Sequence, residues 1–209
     1  FQPSQEISCG NSGTTLNAMW EIFTWPQVGA DIDGEAYGDY SGHSVAMSAD
    51  GSRVVIGAPY NDSVNGEMSG HVRVYDLVGS SWVQVGADID GEAEAFYNYS
   101  GWSVAMSADG SRIAVGATGN DGNGRDSGHV RIFDFDGSDW VQVGTDIDGE
   151  ATDDFSGVSV AMSADGSRIA VGAKYNDGNG TKSGHVRIFD FDGSDWVQVG
   201  ADIDGEAAG

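Results

Sequence analysis

The sequence predicts an all-β protein built of four-stranded antiparallel blades, either a β-propeller or a propeller segment. Three observations lead there. A unit of about 57 residues recurs three times, and length differences between copies fall only in turn-rich links. Apolar residues alternate or run continuously over four to six positions, with no sustained 3.6-residue period. Gly-containing turns separate these runs at regular intervals. A jelly roll or an up-and-down barrel does not repeat its sequence in this way, whereas blades do.

The first strand of each unit lies in SGHSVAMSADGSRVVIGAP (41–59), SGWSVAMSADGSRIAVGAT (100–118) and SGVSVAMSADGSRIAVGAK (156–174). Ser-Val-Ala-Met-Ser (44–48) is short and mixes small with β-branched residues, which suits a strand. Ala49-Asp50-Gly51-Ser52 is a hairpin turn. Arg53 to Ala58 is the second strand, and its near-continuous apolar run predicts burial on both faces. A longer polar loop precedes the third strand, His71 to Asp76. Gly79-Ser80-Ser81 then turns the chain into the fourth, Trp82 to Gly86. This pattern predicts buried Val45, Met47, Val54, Ile56, Val72 and Val74. Trp25, Trp82, Trp140 and Trp196 recur 57, 58 and 56 residues apart, which predicts equivalent packed positions.

The run from Ser41-Gly42 to Gly57-Ala58-Pro59, followed by Ser69-Gly-His-Val-Arg-Val-Tyr75, resembles the FG-GAP repeats of the integrin α-subunit propeller. The likeness covers about residues 41–209, in all three copies. Copies two and three keep Gly-Ala and replace Pro with Thr118 or Lys174. Ser takes the place of the aromatic in the family's Phe-Gly. The organisation expected is residues 1–40 as an N-terminal segment with the remnant of a blade, then repeats at 41–99, 100–155 and 156–209, together one propeller-type domain. Such propellers typically have seven blades. Three repeats and a remnant therefore imply further repeats in a longer chain, or a ring closed between chains.

The 209 residues carry 9 Lys+Arg against 33 Asp+Glu, a formal net charge of -24. That balance disfavours nucleic acid, whose binding needs clustered cations. No apolar run approaches the roughly 18 residues of a membrane span. A single Cys, Cys9, leaves no internal disulfide. The chain opens at Phe1 with no charged and apolar leader, as expected of a processed protein or a fragment. Asn61, Asn98 and Asn179 each begin an N-glycosylation sequon in a predicted loop, and together they point to an extracellular or cell-surface location.

In the resembling family, Ca2+ binds a long acidic hairpin between the first two strands. Here that hairpin holds one carboxylate per blade, Asp50, Asp109 or Asp165, too few for the six to eight oxygens of Ca2+. The recurrent Asp-Ile-Asp-Gly-Glu is the better calcium candidate: Asp31, Asp33 and Glu35; Asp88, Asp90 and Glu92; Asp146, Asp148 and Glu150. In an extended segment each trio lines one face. The competing reading is a solvated outer strand whose charges block edge pairing. The Asn120–Gly124 and Asn176–Gly180 loops read as turns. His71, His129 and His185 recur at the start of the third strand. Equivalent blade positions lie too far apart to share one ion, so these read as structural. Arg53, Arg112, Arg168, Arg73, Arg131 and Arg187 are six of the nine cations, and each is expected to pair with an Asp of a neighbouring turn or blade.

No Gly-x-Ser-x-Gly elbow, phosphate loop or Cys-His constellation is visible. The loops are near-copies, whereas catalysis needs distinct groups in distinct roles. The expected function is therefore a non-catalytic structural or adhesive module that binds a protein, matrix or further copies of its own repeats, with no cofactor beyond possible calcium. A lectin-like glycan binder is the alternative, because Tyr37, Tyr40, Phe96, Tyr97, Tyr99, Trp102 and Phe155 supply anchors. A hydrolase ranks behind both.

Overall fold

A computed structural model describes residues 26–92 and 97–206. Among them there is no helix, and three antiparallel sheets follow one another. The first comprises β1 (Ser44–Met47), β2 (Arg53–Ala58), β3 (His71–Val78), β4 (Ser81–Gln84) and β5 (Ile89–Asp90). The second comprises β6 (Ser100–Met106), β7 (Arg112–Ala117), β8 (His129–Phe135), β9 (Trp140–Gln142) and β10 (Ile147–Asp148). The third comprises β11 (Ser156–Met162), β12 (Arg168–Ala173), β13 (His185–Phe191), β14 (Trp196–Gln198) and β15 (Ile203–Asp204). Each sheet runs first, second, third, fourth, and the short fifth strand pairs with the third. These are propeller-type blades. Trp25, Phe96 and Cys9 lie outside the described residues.

The fourth and fifth strands form one interrupted edge. Val85 still donates its N–H to the Val74 carbonyl, and Ile89 pairs with Val72. The break falls at Gly86, which has φ 78° and lies against the Trp140 indole of the next blade. A side chain there would meet both left-handed strain and the indole. Trp140 Nε1 donates to the Val85 carbonyl at 3.1 Å. Trp196 repeats this on Val143, and Trp82 on Val28. Each Trp is thus a wedge in its predecessor's outer edge, and Trp140 and Trp196 are buried.

The core sits between blades. Val55, Val72, Val74 and Ile89 of the first sheet pack on Ile113, Val115, Phe133 and Trp140 of the second. Ala114, Val130, Ile132 and Ile147 pack likewise on Ile169, Val171, Phe189 and Trp196. Fully burying each large side chain contributes about 1.5–3 kcal/mol, so these seams dominate stability. Val54, Ile56, Val72 and Val74 are buried as expected. Val45 and Met47 are not: they are 62% and 53% exposed. Their copies Val104, Met106, Val160 and Met162 pack against the preceding sheet, whereas on the first blade Ile32 reaches only the Val54, Ile56 and Tyr75 part of that face and leaves Val45 and Met47 open. Apolar content alone could not reveal which face lacks a neighbour.

Polar latches set the docking. Arg53 makes a bidentate pair with Asp76 across β2 and β3, at 2.6 and 2.8 Å. Its Nη1 then reaches the Gly110 carbonyl of the next blade at 2.9 Å, with the guanidinium over Phe135. Arg112 does the same with Asp134, Gly166 and Phe191. Ser44 and Ser103 donate across the seams to the carbonyls of Gly101 and Gly157. The Gly of each Gly-Ala makes the approach possible. A methyl on Gly57 or Gly116 would overlap the carbonyl oxygen of Gly101 or Gly157.

The β1–β2 hairpin is a side-chain-capped turn. Asp50 Oδ1 accepts from the Ser52 N–H and from the Ser48 and Ser52 hydroxyls. Led by the Ser52 amide, these donors hold the Asp50 carboxyl down at about 2. Asp165 is likewise held at about 2, and Asp109 is lowered by the same kind of contacts.

Gly116→Ala should destabilise the chain by about 1–3 kcal/mol through backbone overpacking. Gly172→Ala should be milder, since a methyl there meets only Ser159; equal melting temperatures would disprove the close approach. Trp140→Ala should cost about 3–5 kcal/mol, and an unchanged melting temperature would make it a surface residue. The hairpin carboxyls have folded pKa values below their unfolded ones, so their stabilisation is complete above about 4 and fades as pH falls towards 2. Thermal melts of the triple variant Asp50→Asn, Asp109→Asn, Asp165→Asn should show a shallower acid decline than the parent.

Candidate functional site at the blade seams

The repeated His opens the third strand of each blade and is almost fully enclosed, with side-chain exposures of 1–2%. Around it gather two carboxylates from different repeats. Glu35, His71 and Asp88 form the first group, Glu92, His129 and Asp146 the second, and Glu150, His185 and Asp202 the third. Within each group the potential ligand atoms lie within 4.8 Å of one another. His129 Nδ1 is 3.9 Å from Glu92 Oε2 and 3.7 Å from Asp146 Oδ2. His185 Nδ1 is 3.6 Å from Glu150 and 3.9 Å from Asp202. These separations exceed a hydrogen bond. His129 Nδ1 and both ring nitrogens of His185 have no hydrogen-bond partner.

Local pairing delivers each carboxylate. The Gln84 amide donates to Asp88 Oδ1 at 2.7 Å, and Gln142 and Gln198 hold Asp146 and Asp202 alike. For Asp146 and Asp202 this leaves Oδ2 towards the ring. Each Glu comes from the preceding repeat's outer edge. Arg73 Nη2 pins that edge through the Asp33 carbonyl at 2.9 Å; Arg131 uses Asp90 and Arg187 uses Asp148. These Arg thus clamp a backbone carbonyl rather than the paired Asp expected.

Burial pushes the His71 imidazole down, and His129 down to about 4, so both are neutral near pH 7. Burial also pushes the Arg131 guanidinium down and the Asp90 and Asp148 carboxyls up. Asp90 feels His71, Asp88 and Glu35, so a third acid lies near the first group.

The expected single-faced trios therefore do not act as units. Asp88 serves His71 while Glu92 serves His129 across the next seam, and Asp33, Asp90 and Asp148 offer main-chain carbonyls to Arg. Ile89 and Ile147 between them are buried, so this segment is not merely a solvated outer strand. The equal period of His, Asp and Glu was visible in the sequence. The partner assignment was not, because it crosses the seam.

A second feature lines one rim. Tyr40, Tyr60, Tyr99 and Trp102 form a chain of rings with centroids 4.8–6.0 Å apart, and His43 stacks on Trp102 at 4.8 Å. Phe155 meets Tyr175 edge-on at 5.4 Å, beside Lys174. Tyr40, Tyr99 and Phe155 immediately precede the Ser-Gly pairs and hold φ of 54–57°, a strained conformation for an aromatic residue. Tyr37 is fully exposed. Tyr60 and Tyr175 were missed in the sequence, although both follow Gly-Ala by two positions.

Of the three sequons, Asn179 is exposed. Asn61 and Asn98 are 6% and 1% exposed, with Nδ2 donating to Asp39 Oδ2 and to the Glu92 carbonyl. The expectation that they are accessible is corrected: both amides tie loops together, and a sequon cannot report that use. The Asn120 and Asn176 loops are turns, with Oδ1 accepting from Gly122 and Gly178.

No curated protein matches the chain in sequence. Among solved structures, hydrazine synthase of Kuenenia stuttgartiensis superposes with a TM-score of 0.47 at 16% identity, over 84% of this chain and 41% of that one. A Bacteroides uniformis protein assigned as a 6-phosphogluconolactonase gives 0.39 at 13%, over 78% and 56%. The chain thus spans less than two thirds of the length of either. The model of the FG-GAP repeat matches residues 30–75, 83–133 and 140–189, so that each matched unit opens on one blade's outer edge and carries the Gly-Ala joint of the next. With the joint glycines at each seam and matches over more than half its length, the chain belongs to the FG-GAP repeat family.

Proposed function

We propose that this chain is a non-catalytic, extracellular or cell-surface interaction module whose aromatic rim binds a protein partner. The FG-GAP repeat match supports a protein-interaction propeller. The observation that carries the reading is the row Tyr40, Tyr60, Tyr99 and Trp102 along adjacent blades, with Tyr37 exposed beside it. Rigid aromatics give large contact area at low entropic cost. The net charge of -24 and the exposed Asn179 sequon support an extracellular place. No helix among the described residues is long and apolar enough to cross a membrane. The same rim favours glycan as the second reading, since sugars stack on such rings. The double variant Tyr60→Ala, Trp102→Ala should lose binding on a matrix-protein panel while keeping its β spectrum. Loss only on a glycan array would favour the lectin reading, and binding unaffected on both would refute the rim.

The third blade also supports assembly. Ile203 is 59% exposed, whereas its copies Ile89 and Ile147 are 7% and 5% exposed. Arg168 keeps its Asp190 pair yet is 57% exposed, against 14% for Arg53. The face that docks a neighbour is open there, and the first blade offers the complementary Val45 and Met47. The occupant is a further FG-GAP repeat, from the same polypeptide or another chain. Light scattering on the 209-residue chain should show association that Ile203→Lys weakens. A clean monomer with cooperative unfolding would overturn this.

A further inference from the structure

The geometry points to a divalent transition-metal site, of the Zn2+ class, at each of the three seams, with Glu35, His71 and Asp88 and their two sets of copies as ligands. Two independent observations carry it. The first is spacing. Donors bound tetrahedrally at 2.0–2.2 Å lie about 3.3–3.6 Å apart. The His-to-carboxylate separations are 3.6–3.9 Å in the second and third groups and 3.8 Å from His71 to Glu35, too long for a hydrogen bond and a small contraction from sharing an ion, while Asp88 completes the first group within 4.8 Å. The contraction falls on partly exposed carboxylates, of which Glu92 and Glu150 also accept through Oε2 from the Asn120 and Asn176 amides. The second is the orphaned imidazole. His129 Nδ1 and His185 Nδ1 are buried, unpartnered and directed at the paired carboxylates. A buried polar atom left unsatisfied is costly. An ion between the three groups satisfies it.

The donor set selects the metal. One imidazole and two carboxylates suit Zn2+ and its neighbours, whereas Ca2+ requires six to eight oxygens. Asp146 and Asp202 are oriented by Gln142 and Gln198 through the other oxygen, the outer contact that metal-bound carboxylates use, and Gln84 holds Asp88. Glu35, Glu92 and Asp146 are 47%, 38% and 27% exposed, which gives the ion a route in and leaves a coordination position for water. Because Glu and His belong to neighbouring blades, the ion would staple the seam.

The probe is Zn2+ itself. After equilibration and gel filtration, elemental analysis of the whole chain should find about three Zn2+ per molecule, one per group. The melting temperature should rise with Zn2+ and not with equal Ca2+ or Mg2+. Glu92→Gln, which keeps size and fold, should lower the stoichiometry by about one ion. Should a variant fold poorly, the unaltered chain loaded with Co2+ should show the visible bands of a nitrogen-containing tetrahedral site. Fewer than one Zn2+ per chain would overturn the inference. So would a thermal shift shared equally by Ca2+, or Co2+ spectra of the hexahydrated ion.

Discussion

Blade-to-blade contact at backbone distance governs this molecule. At each seam a Gly from the second strand of one blade lies under the Ser-Gly of the next. An added methyl at Gly57 or Gly116 would overlap a carbonyl oxygen. This contact brings Val55, Val72 and Val74 onto Ile113, Val115 and Phe133. It also lets Trp140 reach the Val85 carbonyl and Arg53 the Gly110 carbonyl. Loosening it by a methyl's width would lengthen all of these together, because packed interiors lose dispersion and hydrogen bonding steeply with separation. The Gly-Ala signature of the repeat is therefore a joint rather than a loop feature.

Most of the within-blade structure was legible because strand order, turn chemistry and apolar runs are local. Arg53 to Ala58 reads as buried on both faces and is so from Val54 onward. The hairpin at Asp50 reads as a turn and is one. Relations between blades were not legible. Period-2 arithmetic puts Asp88, Asp90 and Glu92 on one side of a segment. It cannot say that Asp88 faces the His of its own blade while Glu92 faces the next. Nor could it separate Met47, exposed, from Met106, which packs on the first blade. Asn98 was misread for the same reason: a sequon specifies three residues, and the burial of its first depends on the Glu92 carbonyl across a loop.

The polar row within each seam needs its own account. Arg73, Arg131 and Arg187 are buried, and their Nε atoms have no hydrogen-bond partner. Burying such groups costs free energy that apolar residues would not. Their gain is direction. Apolar packing is non-directional and would tolerate sliding of one sheet over the next. A guanidinium that must meet the Asp33, Asp90 or Asp148 carbonyl fixes the register of the outer edge, and with it the place where the next Glu arrives. The Glu-His-Asp groups depend on that register, because their Glu and His come from different repeats.

The third blade provides the internal comparison that separates intrinsic from shared stability. Its strands, turn and Arg168–Asp190 pair match those of the other two. What differs is what a following blade supplies elsewhere: among the described residues nothing covers Ile203, no aromatic ring caps Arg168, and Gly172 meets no backbone from a neighbour. A blade with no described blade after it thus keeps its hydrogen-bond ladder but leaves its following face uncovered, as in nearest-neighbour repeat architectures. The same dependence places the polar groups. The Glu-His-Asp groups lie where two repeats meet, while the rim aromatics project from the links between them.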